Sequence, residues 1–455
     1  MLASLIAAAL ATSPYSVNIN PDGLADAPVQ IHCGHFIDVE AGKMLGETTI
    51  TVQKGRVTQV AAGGGAGRAI DLSNATCLPG LIDSHTHLTD ETSPTAYNDQ
   101  FRWNPADYAI RSTVYAKRTL EAGFTTVRNV GDGDYNSVSL RNAINQGLVV
   151  GPRIFTAGTA IGSSGGHADD TNGYRRDLAG NPDAKDGIIN SPEDAWKAVR
   201  LHYKFGADLI KIMPSGGVLD ESSSVDNAQL TIPEIQAIVA AAHDYGFTVA
   251  AHAHGAEGIR RAVIGGVDSI EHGTFMDDAD MKLMKEHGTW YVPTIIAGKF
   301  VEEKANIPGY YPAQVAAKAK MVGPLIQATA GRAYKAGVKI AFGTDAAVYP
   351  HGQNAKEFKF MVDAGMPAMF VIQAATTHAA QLLKHEKDFG SIAVGKYADI
   401  IAVNGNPLDD VTILQHVEFV MKEGKVYKDR GVAQTPVADV VAPPSSAQGE
   451  ALTGY

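Results

Sequence analysis

The middle of the chain alternates short apolar runs with longer stretches whose apolar positions recur at helical spacing. That alternation predicts a parallel βα array, with buried strands covered by amphipathic helices. Strands are expected at 79–87, 124–129, 152–158, 207–213, 247–253, 267–272, 289–295 and 338–343. The helices between them carry start signals. "SPED" sets Ser191 as N-cap, Pro192 at the first helical position and Asp194 at the capping-box position, and "TIPE" repeats the arrangement with Thr231 and Glu234. Gly123, Gly206, Gly246 and Gly337 each stand just ahead of a strand, where helices end. Eight units in roughly 300 residues fit an α/β fold of the (β/α)8 TIM-barrel type better than an open doubly wound sheet. No G-x-G-x-x-G follows the first strand, which weakens a dinucleotide-binding reading.

The two ends have a different texture. Short alternating β-like pieces with glycine turns run from Val29 to Ala75 and return near Gly390. They predict a small β-sandwich-like domain assembled from 28–76 and 388–430, around a barrel of 77–387. Residues 431–455 are rich in Pro, Ala, Ser and Gly and are expected to form a loosely ordered tail. Residues 1–27 begin "MLASLIAAALATSPYS", with the apolar core and small-residue end of a secretory signal but no basic n-region. They read as a signal-peptide remnant or N-terminal extension, so a periplasmic or secreted location is expected over a cytoplasmic one. The apolar run is too short to span a bilayer, and no later segment looks transmembrane, so no membrane partner is expected.

Composition narrows the field further. In 455 residues, 45 % are hydrophobic and 19 % charged, ordinary values for a globular protein. The formal charge of −11, spread without long runs, argues against nucleic acid as a partner. The only cysteines, Cys33 and Cys77, suggest neither a disulfide framework nor a CxxC metal site. Cys77 is expected as a small buried thiol.

Candidate chemistry collects at strand ends, where a barrel of this kind places its active site. "LIDSHTHL" ends the first strand with His85 and His87 on one face. Two imidazoles so placed can grip a metal ion. "ADLIKIMPSGG" carries Lys211 inside an apolar run, where an ammonium would be costly to bury. "TVAAHAHG" supplies His252 and His254, "VDSIEHG" supplies His272, and "KIAFGTDA" supplies Asp345. Taken singly, each could be a hydrogen-bonded core histidine, a salt-bridged lysine or a helix N-cap. Taken together, they fall at one end of their strands across 260 positions, which chance placement does not explain.

These residues resemble the metal-dependent amidohydrolase superfamily, with HxH on strand 1, Lys on strand 4, His on strands 5 and 6, and Asp on strand 8. More narrowly, "LPGLIDSHTHL", "GFTTVRN", "AAHAHGAEGIRRAVIGGVDSIEHGT", "FGTDA" and "GSIAVGKYADIIAVNGNPL" look like the imidazolonepropionase-like branch. That branch includes Xaa-Pro and other Xaa-Xaa dipeptidases and ochratoxin-hydrolysing amidohydrolases, and the likeness spans roughly residues 28 to 428.

The resemblance implies two divalent metal ions, usually Zn, bridged by Lys211 carboxylated on its side chain. It implies His85, His87 and Asp345 around one ion, and His252 and His272 around the other. Asp345 would pass a proton from the attacking water to the leaving nitrogen. His254, His167, Ser215, His351 and Arg128 are candidates for binding substrate, each with a supporting role as its alternative. The stretch from Phe300 to Ala330, with Tyr310, Tyr311, Met321 and Leu325, is a candidate apolar wall. The activity implied is a dipeptidase- or carboxypeptidase-like amide hydrolase that frees a C-terminal amino acid, ochratoxin A included. A ring-amide hydrolase or deaminase, or a non-catalytic relative, is the alternative. The partner is a small-molecule amide, and the family expectation is a large homo-oligomer, an octamer.

Overall fold

A computed structural model describes residues 27–64, 69–220 and 224–434. The expected leader, except Ala27, and the tail from 435 onward lie outside the described residues.

Seven of the eight barrel positions are regular strands: Leu81–Thr86, Phe124–Asn129, Arg153–Thr156, Ile210–Ile212, Val249–Ala253, Ser269–His272 and Trp290–Val292. The first three pair in parallel, as do the fourth to the seventh. An Ile161–Ile212 bridge joins the third position to the fourth. The expected eighth strand, 338–343, is not a regular strand. It closes the barrel through isolated bridges, Tyr291–Ile340 on one side and Thr86–Ala346 on the other. The segment packs closely between both neighbours, since a Cβ at Gly343 would collide with Val292 and His85. Phe342 N turns out of the ladder to the carbonyl of Ala374.

The helix signals act as expected at most positions. The Thr231–Glu234 capping box is complete. Ser191 accepts from Asp194 N, but the Asp194 carboxylate reaches Asn190 N rather than Ser191 N, so that box is half formed. Gly123, Gly206, Gly246 and Gly337 take φ of 97°, 89°, 74° and 78°, the left-handed region that closes a helix.

The chain ends interleave in one nine-stranded sheet. Ala69–Pro79 holds it together, pairing in parallel with Val29–Asp38 and antiparallel with Ile400–Val403. The sheet encloses its own core of Ile31, Ile50, Val57, Ile400 and Phe419. Ala69–Pro79 then runs through Gly80 straight into the first barrel strand, so this sheet anchors the strand that carries His85 and His87.

The expectation of a buried Cys77 thiol and no disulfide framework is overturned. Cys33 and Cys77 form a disulfide, with Cα atoms 5.8 Å apart. They lie on adjacent parallel strands whose register shifts between Cys33 and His35, a pairing that a separation of 44 residues does not signal locally. The crosslink closes a long loop, so the Cys33→Ser/Cys77→Ser variant should lose about 2–4 kcal/mol of unfolding free energy. Urea unfolding with and without reductant measures this, and identical midpoints would show that the bond contributes nothing.

Candidate metal centre and its cleft

Two groups of potential ligands meet at the C-terminal mouth of the barrel. One is His85, His87 and Asp345, and the other is His252, His254 and His272, the ligand atoms of each lying within 4.8 Å of one another. In the first, Asp345 Oδ1 is 3.4 Å from His85 Nε2 and 3.2 Å from His87 Nε2. The groups adjoin, since the His85 and His272 ring centroids are 4.8 Å apart. Lys211, almost wholly buried, brings Nζ to 3.5 Å from His85 Nε2.

Each imidazole is oriented by a hydrogen bond at its other nitrogen. His85 Nδ1 meets Glu271 at 2.8 Å and His87 Nδ1 meets the Gly131 carbonyl at 2.8 Å. His254 Nδ1 meets Thr274 Oγ1 at 2.8 Å, and His272 Nδ1 meets Thr294 Oγ1 at 2.7 Å. His252 is turned the other way, with Nε2 at 3.1 Å from the Gly216 carbonyl and Nδ1 left for a ligand. One ring nitrogen per histidine is thus left for coordination, the arrangement metal-binding histidines require. Together with a carboxylate and a buried amine, this donor set fits divalent metal ions.

Local backbone supports the aim of these side chains. His272, Thr294 and Asp345 adopt left-handed φ of 70°, 50° and 60°. For residues with a Cβ such conformations cost about 1–3 kcal/mol each and persist where the surroundings enforce them. Asp83 supplies part of that enforcement. Its fully buried carboxylate accepts from His85 N, Thr344 N, Thr344 Oγ1 and Asn354 Nδ2, tying the first strand to the segment that carries Asp345.

Burial sets the protonation states. It pushes His85 down to about 4 and His254 to about 3, and it lowers His252 and His272 well below the ordinary histidine value. The same desolvation brings Lys211 down to about 8, against the opposing pull of Glu271 and Asp345. Burial alone would raise Asp345, but His85, His87 and Lys211 outweigh it and hold the carboxyl well below its usual range. The unfolded chain binds protons at these histidines near pH 6.5 and the folded chain does not. The metal-free protein should therefore be fully stabilised above that pH and lose stability as the pH falls toward about 4. Melting temperatures across that window check it; a flat profile would contradict neutral buried histidines.

The cleft above the centre holds about 700 Å³ and includes His254 and His167 in its wall. His167 Nδ1 is 2.7 Å from Asp220 Oδ2, with its ring against His252. The other three substrate candidates sit behind the wall. Ser215, fully buried, accepts from His254 N and so holds the backbone of that histidine. His351 reaches the Asp90 carbonyl and stacks on Tyr115, fastening the loop after Asp345 to the loop after His87. Arg128 is fully buried inside the barrel, donating to the Ser84 carbonyl, Ser269 Oγ and Glu271. The wall from the 313–336 helix is formed by Val322 and Ile326, along with Tyr311 just before it, whereas Met321 and Leu325 point to solvent.

Sequence reasoning missed the outer partners Asp83 and Glu271, although each stands within two residues of a ligand. It also missed the character of the cleft rim. Asp90, Asp132, Asp134 and Asp170 line it with Tyr97, Trp103, Tyr108 and Tyr174, and no arginine does so among the described residues.

Residues 76–428 match the amidohydrolase family. The chain belongs to that family. This amidohydrolase is 48 % identical to a structure of a Xaa-Pro dipeptidase with bound methionine, at a TM-score of 0.87 over 88 % of this chain and 100 % of the other. Ochratoxinase from Aspergillus niger is 32 % identical over 377 residues, 78 % of this chain and 76 % of its own. A prolidase complexed with N-methylphosphonate-L-proline is 32 % identical at a TM-score of 0.80, over 89 % of this chain and 100 % of the other. The family is metal-dependent, and the protein is a hydrolytic enzyme with a TIM barrel and an added β domain.

Proposed function

We propose that this amidohydrolase cleaves the amide bond of dipeptides or N-acyl amino acids and frees the C-terminal amino acid. The observation that carries the reading is the pair of adjoining ligand groups with Lys211 buried beside them. His85, His87 and Asp345 would hold one divalent ion and His252 and His272 the other, zinc suiting a set dominated by imidazole. Lys211, as a carbamate, would present two oxygens to both. Bound ions would polarise the scissile carbonyl and acidify the attacking water.

The chain's own residues account for the remaining tasks. Asp345 takes the proton of the attacking water and delivers it to the leaving nitrogen. His254, fixed by Thr274 and Ser215, turns its free ring nitrogen toward the substrate carbonyl. His167, held by Asp220, lies where a substrate carboxylate can accept from it. Val218, Val322, Ile326 and Tyr311 form an apolar surface against which one substrate side chain would pack. The likeness to a Xaa-Pro dipeptidase and to an ochratoxinase supports this reading. The Cys33–Cys77 disulfide supports an exported protein, because such bonds persist in oxidising compartments.

The aspartates on the rim favour a substrate with a positive end over an anionic one. The test is amino-acid release from Xaa-Pro, Xaa-Leu, Xaa-Phe and Xaa-Arg dipeptides, their N-acetyl forms and ochratoxin A. Free dipeptides should turn over, with kcat/KM about two- to fivefold above the N-acetyl forms, the effect of one partly exposed charge contact. Metal-loaded enzyme that released no amino acid from any of them would move the assignment to ring amides or lactones.

A further inference from the structure

Arg128, Ser269 and Glu271 form a buried polar unit beneath the candidate centre. Arg128 Nη2 is 2.7 Å from Glu271 Oε1, and Nη1 is 3.0 Å from Ser269 Oγ. Ser269 Oγ donates to the same Glu271 oxygen. The other oxygen, Oε2, lies 2.8 Å from His85 Nδ1. Arg128, Ser269 and Glu271 are wholly shielded from solvent, and His85 is 1 % exposed. Arg128 also donates to the carbonyl of Ser84, the residue before His85. A buried ion pair by itself is weak evidence for stability, because its desolvation cost offsets most of its attraction. Here the pair is tied to one imidazole through Glu271 and to the carbonyl just before that residue through Arg128.

We propose that Glu271, set by Arg128 and Ser269, is a positioning residue that fixes the tautomer and ring plane of His85 as a metal ligand. A carboxylate facing Nδ1 requires a proton there, which leaves Nε2 as the only donor and aims it at Asp345, 3.4 Å away. No other histidine of the two groups rests on a carboxylate: His87 and His252 use carbonyls, and His254 and His272 use threonine hydroxyls. The relay therefore serves the ion bound by His85, not the ion bound by His252 and His272. It rests on the two-ion reading above, and its test separates the two.

The probe is Co²⁺ titrated into metal-stripped protein against a competing chelator, with the visible cobalt spectrum followed at each equivalent. Glu271→Gln should weaken one of two ions by about 10- to 100-fold and alter its spectrum, leaving the other within a few-fold. Should that variant fail to fold with Arg128 unpaired, Arg128→Gln/Glu271→Gln removes both charges together and should show the same one-ion loss. Wild-type protein with two ions and either folded variant holding both as tightly would overturn the relay alone. An equal loss at both ions, with a lower melting temperature of the metal-free protein, would also overturn it, because that is the signature of a purely structural pair. Wild-type protein that binds fewer than two Co²⁺ would overturn the two-ion reading and the relay with it.

Discussion

Lys211→Met should lower kcat/KM for dipeptide hydrolysis by about a thousandfold or more, roughly 4 kcal/mol of transition-state stabilisation. Among the described residues Lys211 is the one amine in the cleft wall, and its burial lowers it to about 8, which eases access to the neutral form that can add carbon dioxide. Methionine matches its length and apolar stem but can supply no shared anion. Lys211→Arg is the informative companion. It keeps a positive charge, so a lysine that served only as a cation would tolerate it. A guanidinium stays protonated and cannot become a carbamate, so the Arg variant should be as inactive as the Met variant. Circular dichroism of both variants checks that the barrel is intact. Near-normal turnover of either would remove Lys211 from the centre.

Asp345→Asn should cost about 10²- to 10⁴-fold in kcat, the range for loss of a positioned proton acceptor. An amide has nearly the size of the carboxylate but does not take a proton at neutral pH. The same change removes one donor from the His85–His87 group, so metal content must be measured beside the rate. Full occupancy with a rate loss of this size would isolate proton transfer. A rate unchanged at full occupancy would exclude Asp345 as the base.

Much of this site was legible in the chain because of how a parallel barrel is built. Its strands are buried on both faces and read as apolar runs, so polar residues at their ends stand out. His85, His87, Lys211, His252, His272 and Asp345 all lie on barrel positions at the mouth. What strand position does not reveal is depth. Arg128 belongs to a barrel strand as His85 does, yet it points into the interior below the cleft and spends its donors there. Rotation about a helix was equally hidden. Neighbouring helical residues point about 100° apart, so Met321 faces solvent while Val322 faces the cleft. The eighth strand was overread because the apolar run "KIAFG" says nothing of Phe342 N leaving the ladder for the Ala374 carbonyl. The disulfide and the acidic rim were hidden for a shared reason. Each is made by residues distant in sequence that only the closed fold brings together.

Amino-acid release measured against zinc added per chain decides whether a two-ion centre cleaves the amide. Chelator-stripped protein and a Xaa-Pro or Xaa-Leu dipeptide are sufficient for it. No release is expected without metal, with a rise that levels off at two ions per chain. Full release by the stripped protein, or two tightly held ions with no amide cleavage, would contradict that expectation.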